Sequence, residues 1–242
     1  MQISAVSKEI NEWSGSILIA GVLEGTIESQ INFFKTIIKD TYLAQRFNDA
    51  KFEGKKHQKL SVELIDGKIK KIVFVGLGKP KHLVIDDLRK AASIGTAQVL
   101  GHEKRLGIFL PWDAFDASAA AFSVGEAVKL SSIKDLRFKS DPKESNSIKE
   151  VELIGLDIKV AELAIAEINP ICEGVKFARE LVSAPPNFLT PSQLAQEARK
   201  LANEYDLDLK ILDKKDCEKQ GMGAYLAVAK GSDLQPSFIH LK

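Results

Sequence analysis

Residues 177–193 read FARELVSAPPNFLTPSQ, and they divide the chain. Consecutive prolines at 185 and 186 lack amide donors and push the residues before them out of the helical region, so a helix arriving from the N-terminal side must stop near Ser183. A new helix then starts within a few residues. Thr190 stands as its N-cap, Pro191 occupies the first helical position, and Gln193 follows three residues after the cap in the pattern of a capping box. The expected organisation is a first domain over 1–158, a linking helix and boundary over 159–186, and the start of a second domain over 187–242.

Upstream, residues 17–23 (ILIAGVL) form a nearly continuous apolar run, as expected of a strand covered on both faces. Ile27, Ile31, Phe34 and Ile38 then recur at helical spacing. Two further apolar or alternating runs surround Asp66-Gly67, a dipeptide suited to tight hairpins because both central residues tolerate positive φ. A helix face is marked by Leu88, Ala91, Ala92, Gly95 and Val99, followed by a strand at 106–110, an alanine-rich helix at 117–128 and a strand at 151–156. An apolar stripe from Val160 to Val182 predicts one long helix, with Pro170 as a kink or break. Strands alternating with helices predict an α/β fold with a mixed sheet flanked by helices.

Downstream, Leu194, Ala198, Leu201 and Tyr205 supply a buried helical stripe. Residues 207–212 alternate as a strand, Asp213 caps a short helix that Gly221 stops, and Phe238–Leu241 begins another strand. Two strands and two helices leave sheet surface and an edge uncovered, so this region is expected to be the incomplete start of a second α/β domain.

Composition narrows the function classes. The 242 residues are 45% hydrophobic and 28% charged, and 34 Lys plus Arg against 33 Asp plus Glu leave a net charge of +1. Such a balance exerts no global pull on nucleic acid or on acidic membranes. Cys172 and Cys217 show no CxxC spacing, so reduced thiols are expected. The first apolar run follows Lys8, Glu9 and Glu12 and is too short for a signal peptide core or a membrane span, which predicts a cytoplasmic protein with no membrane partner.

The chemistry-bearing residues are scattered. His57, His82, His102 and His240 share no ligand spacing, and His102-Glu103 lacks the second imidazole of a zincin motif because position 106 is leucine. Asp206 and Asp208, two apart at the expected start of a strand, would share a face; with no third ligand nearby, they read as a solvent-facing strand edge or turn rather than a divalent-metal pair. No Gly-x-Ser-x-Gly elbow occurs. Cys217, among charged neighbours, reads as a half-buried packing residue. Gly76-Leu77-Gly78-Lys79-Pro80 follows a strand and could approach a phosphate, although it matches no phosphate-loop pattern and reads more simply as a strand-to-helix turn. A local excess of Lys and Arg across 51–90 reads as the solvated face of the hairpin, with a basic patch as the alternative.

The stretch Phe177–Pro191, with Gly221-Met222-Gly223-Ala224-Tyr225-Leu226-Ala227-Val228 and Lys230-Gly231-Ser232, resembles the leucyl (cytosol) aminopeptidase family at its domain junction and the opening of its catalytic domain. The resemblance implies an N-terminal macro-like α/β domain, a linking helix and a C-terminal metallopeptidase domain. It also implies two divalent metal ions (Mn or Zn), peptide substrates trimmed at the N-terminus, and hexameric assembly. The family's metal ligands lie in a Gly-Lys-Gly…Thr-Phe-Asp-Ser-Gly-Gly type segment and an Asn-Thr-Asp-Ala-Glu-Gly-Arg type segment. These 242 residues contain neither. No catalytic or metal-binding residue is therefore assigned, no substrate-binding residue is identified, and the chain alone is expected to be inactive. The competing reading is an autonomous non-catalytic macro-like module that binds a nucleotide or nucleic acid. Residues 187–242 discriminate, since such a module has no need of a peptidase opening.

Overall fold

A computed structural model describes residues 1–99, 105–142 and 148–242. They divide into two compact units, Met1–Lys176 and Phe177–Lys242. In chain order the first unit contains β1 (Gln2–Val6), β2 (Ile17–Leu23), α1 (Ile27–Ile38), α2 (Leu43–Asp49), β3 (Lys59–Glu63), β4 (Lys71–Gly78), α3 (Ile85–Val99), β5 (Arg105–Phe109), α4 (Ala117–Ser132) and β6 (Glu150–Ile154). Helix α5 (Ile158–Ser183) contributes to both units. The second unit continues with α6 (Pro191–Tyr205), β7 (Leu209–Leu212), α7 (Lys214–Lys219), α8 (Gly223–Ala229) and β8 (Phe238–Leu241).

The first unit is built on a six-stranded sheet in the order β1-β6-β5-β2-β4-β3, parallel throughout except for β3 against β4. Apolar residues on both sides of the central strands follow from covering both faces. On one face Ile17 and Ile19 of β2 and Val73, Val75 and Leu77 of β4 join Leu88, Ala91 and Ala92 of α3, Ala120 and Val124 of α4, and Ala161 of α5. Leu18, Ala20 and Val22 point to the opposite face with Ile72 and Phe74, where Ile31 and Phe34 of α1 and Leu43 and Phe47 of α2 cover them. The side-chain period of two is thus satisfied at every position of β2. The aromatic side of the core is ordered by edge-to-face contacts, Phe34 on Phe74 at 5.0 Å and Phe47 on Phe74 at 4.9 Å. Such offsets suit the ring quadrupoles.

The α/β reading of the sequence holds, and the differences have local causes. Strand β1 was not anticipated: its short sequence QISAV lies at the sheet edge against β6, where a clear apolar run is not required. The hairpin exists, with Glu63 opposite Lys71, but residues 64–70 form a longer loop rather than a two-residue turn. Gly67 takes the positive φ (90°) that the loop needs. Helix α5 continues through Pro170 without ending, although proline forfeits one backbone hydrogen bond; Ile168 and Cys172 are buried on either side of it. At Gly125 a Cβ would lie 2.4 Å from Ile168 Cδ1, so α4 and α5 approach closely only because that position has no side chain.

Residues 51–58 form a strap over the end of β4. Gly76 receives and donates backbone bonds to it (His57 N to Gly76 O, 3.1 Å; Gly76 N to Gln58 O, 2.8 Å), and Gly78 N donates to Gly54 O at 2.8 Å. Lys56 runs its stem across Gly78, whose Cβ would meet Lys56 Cγ at 2.6 Å, and its ammonium donates to both oxygens of buried Asp87 at 2.8 Å. The same carboxylate accepts from Val84 N at the start of α3 (3.0 Å). Burial raises the Asp87 pKa, but the Lys56 hydrogen bond and the Val84 amide outweigh it and hold the carboxyl below its ordinary value. A folded-state pKa below the unfolded one gives stability that is fully present above about pH 4 and is lost as pH falls through the folded value. Asp87→Ala should therefore lower unfolding free energy at neutral pH by about 1–3 kcal/mol, the penalty for orphaning partly buried donors. Urea titrations of both proteins across the acid range should show this difference shrinking below about pH 4.

Candidate functional site

In the second unit the expected N-cap of α6 is present. Thr190 Oγ1 accepts from Gln193 N at 3.2 Å and Pro191 opens α6. Helix α6 turns Ala195, Ala198 and Ala202 inward, so of the expected stripe only Ala198 is buried, while Leu201 is half-buried and Leu194 and Tyr205 are exposed; together with Leu212 and Cys217 the three alanines are the unit's buried apolar side chains. Strands β7 and β8 pair antiparallel with Leu209 opposite Leu241 and Leu212 opposite Phe238. Tyr225 of α8 meets Phe238 edge to face at 5.7 Å.

The residues singled out in the sequence do not converge. His57 and His82 are exposed in the strap and in a 3-10 turn, and His240 is exposed on β8. The His102-Glu103 pair lies outside the described residues. Asp206 does not share a strand face with Asp208: it ends α6 in the left-handed conformation (φ 53°), while Asp208 exchanges backbone bonds with Lys242 at 3.1 and 2.9 Å. A polar residue at a left-handed helix cap explains the difference. Cys217 is fully buried rather than half-buried, and burial, followed by the carboxylates of Asp213 and Asp216, pushes its thiol pKa up. A thiol so placed is a poor nucleophile at neutral pH.

Gly76 and Gly78 lie within β4, their amides bonded to the strap rather than turned toward a ligand. Gly76 is there because a Cβ would stand 2.0 Å from Lys55 O. Several basic residues of 51–90 are paired: Lys55 with Glu53, Lys56 with Asp87, Lys71 with Glu63, Lys90 with Asp86 and Arg89 with Glu126. Among the described residues no three His, Cys, Asp or Glu side chains are grouped to hold a metal ion.

The sequence reading missed a cavity of about 440 Å³ in the first unit, where the carboxyl ends of β1, β2, β5 and β6 meet. Lys8, Glu9, Phe33, Phe109, Trp112 and Asp113 are among its lining residues. Its walls are tied to the strands. Gln30 of α1 accepts from Leu23 N and donates to Leu23 O, both at 3.0 Å. Trp112 Nε1 donates to Ile154 O at 2.6 Å, and Gly155 N donates to Val6 O at 2.8 Å.

Compared with known proteins, residues 19–142 match the N-terminal domain of the cytosol aminopeptidase family, and residues 176–242 match its catalytic domain. The chain belongs to the cytosol aminopeptidase family. Within it, the sequence is 50% identical over 241 residues to a probable cytosol aminopeptidase of Prochlorococcus marinus (strain MIT 9211), covering 100% of this chain and 49% of that protein. It is 38% identical over 244 residues to one of Synechococcus sp. (strain CC9311), covering 100% of this chain and 48% of the relative. The chain thus spans about half the length of these relatives. A tomato leucine aminopeptidase mutant superposes with a TM-score of 0.86 at 27% identity over 100% of this chain and 50% of its own. The bottromycin maturation enzyme BotP in complex with Mn shares the fold, with a TM-score of 0.70 at 22% identity over 94% of this chain and 45% of its own.

The matched portion of the catalytic domain holds the end of α5, the 15-residue helix α6, the short helices α7 and α8 and a two-stranded sheet, whose strands have no second neighbour among the described residues. Few large apolar groups are buried there, whereas all eight residues of β4 are buried in the first unit. Amides of Leu209–Leu212 and Phe238–Leu241 should therefore exchange with solvent well before those of Ile72–Gly76. Hydrogen-exchange mass spectrometry on the monomeric chain checks this; equal protection in the two sheets would contradict it.

Proposed function

We propose that residues 1–242 serve as the N-terminal part of a two-metal aminopeptidase that removes N-terminal residues from peptides. The observation that carries this reading is the consecutive match to both domains of one peptidase family, in the family's order. In this reading residues 1–158 form the N-terminal domain, 159–186 the link, and 187–242 the opening of the catalytic domain. The whole enzyme is a cytoplasmic hexamer loaded with Mn or Zn. The naming of relatives as cytosol aminopeptidases and the Mn bound by BotP support parts of this proposal.

The described residues do not fit the implied metal pair, for they bring no three suitable side chains together. No step of peptide hydrolysis is assigned to them. In two-metal hydrolases the ions activate water and stabilise the tetrahedral oxyanion. The contribution of this chain is structural: α6 and the β7–β8 pair form a capped platform from which a larger sheet can extend.

The 242-residue chain, assayed on leucine amide with Mn²⁺ or Zn²⁺, should show no turnover. A longer protein that carries the two metal-ligand segments after Lys242 should hydrolyse the same substrate, and a chelator should abolish its activity. Metal-dependent turnover by the purified 242-residue chain, or a lengthened protein that binds metal yet leaves aminoacyl amides intact, would overturn the proposal.

A further inference from the structure

The six-stranded sheet ends on β3, the strand that runs antiparallel to its neighbour β4. Their register fixes which backbone groups of β3 are used. Gly76 N donates to Gln58 O and Leu64 N donates to Lys70 O, both at 2.8 Å, and between these points Lys59 stands opposite Val75 and Glu63 opposite Lys71. Residues of an antiparallel ladder alternate between mutually bonded pairs and pairs whose amides and carbonyls turn away. Leu60 and Val62 therefore face β4, and the backbone groups of Lys59, Ser61 and Glu63 point off the edge of the sheet. Among the described residues no further strand takes them.

The side chains on this edge complement themselves. Lys59, Ser61 and Glu63 are exposed on one face of the sheet, while Val62 is buried and Leu60 half-buried on the aromatic face. Edge strands commonly carry charge, because an incoming strand of like charge is repelled. On β3 the charge changes sign from one end to the other. When two copies of β3 lie antiparallel about a two-fold axis through Ser61, Lys59 of each stands opposite Glu63 of the other and Ser61 meets Ser61. Every residue that points off the edge then enters a mutually bonded pair, and on the other face Leu60 of each copy stands beside Val62 of the other. Moving the axis by one residue leaves neither charge opposite its complement. Glu63 pairs with Lys71 at 3.0 Å within its own chain, yet its side chain stays 71% exposed and can lie between Lys71 and an incoming Lys59. The opposite edge strand, β1, has no charged side chain and offers no such register.

We propose that the β3 edge is a self-association surface, on which a second copy of this chain adds its own β3 antiparallel about Ser61 and joins the two sheets into one. The inference is independent of the peptidase reading, since it uses the first unit alone. One strand from each copy makes a small contact, so the dimer forms reversibly as concentration rises. Lys59 and Glu63 are opposed twice in it. Reversing one of these charges replaces two attractions by two repulsions and should weaken association about tenfold.

Sedimentation velocity of the 242-residue chain over a range of concentrations reads the dimer, and a cysteine placed on the axis reads the register. Opposed Cα atoms of a mutually bonded pair stand about 5.5 Å apart, within disulfide reach, and the native Cys172 and Cys217 are buried. Ser61→Cys should form a disulfide-linked dimer under mild oxidation, whereas Ser29→Cys, exposed on α1, should remain monomeric over the same time. Lys59→Glu leaves the pair between Lys71 and Glu63 intact. It should keep the melting temperature, lower dimer affinity about tenfold and suppress the cross-link of Ser61→Cys. A chain that stays monomeric up to about 1 mM, equal cross-linking at positions 61 and 29, or undiminished association of folded Lys59→Glu would each overturn the proposal.

Discussion

The structure of the first unit depends on one constraint: β2 has sheet neighbours on both sides and helices on both faces. Its backbone pairs with β4 along its length and with β5 over Ile17–Ala20, and its side chains alternate between two separate apolar clusters. No polar side chain could occupy it without losing water on either face. The bulky residues Ile17, Leu18 and Ile19 fill the two sides, while Gly21 remains small because a Cβ would approach Leu77 and Leu110 side chains at 2.7 Å. The same constraint sends α1 and α4 to opposite faces. The crevice beyond the strand ends is thus a consequence of covering the sheet, and it needs no local motif of its own.

That dependence explains what was legible in the sequence. Strands β2 and β4 announce themselves because burial on both sides demands unbroken apolar runs. The start of the helix at Pro191 is equally plain, since its N-cap and proline act within a few residues of each other, but its buried face is not: the large side chains Leu194 and Tyr205 turn outward and alanines turn in. Edge strand β1 left no comparable trace, because pairing on one side can be satisfied by a short mixed sequence such as QISAV. Pro170 does not break the one long helix that the apolar stripe predicts. The local rule for proline weighs one lost hydrogen bond, whereas the tertiary structure weighs a whole buried stripe from Ala161 to Cys172.

The sites follow the same logic. Gly76 and Gly78 looked able to cradle an anion because a glycine-rich strand end offers open amides. Their purpose became visible only with the strap, which uses those amides and lays Lys55 and Lys56 where side chains would otherwise stand. The crevice was invisible for the opposite reason: Lys8 and Asp113 follow the ends of β1 and β5, and Phe33 lies within helix α1. Neither spacing nor composition brings them together. Only the strand order β1-β6-β5-β2 does so.

The two units also divide the stabilising interactions unequally. In the first, isolated charges are absorbed by partners within the fold: Glu152 accepts from Arg105 at 2.8 and 2.9 Å and from Trp13 Nε1 at 2.8 Å. The Arg105 hydrogen bond holds the Glu152 carboxyl below its ordinary pKa against the opposing effect of burial. This pairing lets a carboxylate stand beside the buried indole of Trp13 without disrupting the sheet. In the second unit, alanines occupy most of the buried positions while Phe188, Tyr205 and Val228 remain exposed. Alanine removes little apolar area from water, so close approach of α6 to its sheet contributes shape more than free energy. The capped helix and the two-stranded ladder therefore set the geometry of the catalytic domain's opening, while the first unit's two-faced core provides most of the hydrophobic stabilisation within these 242 residues.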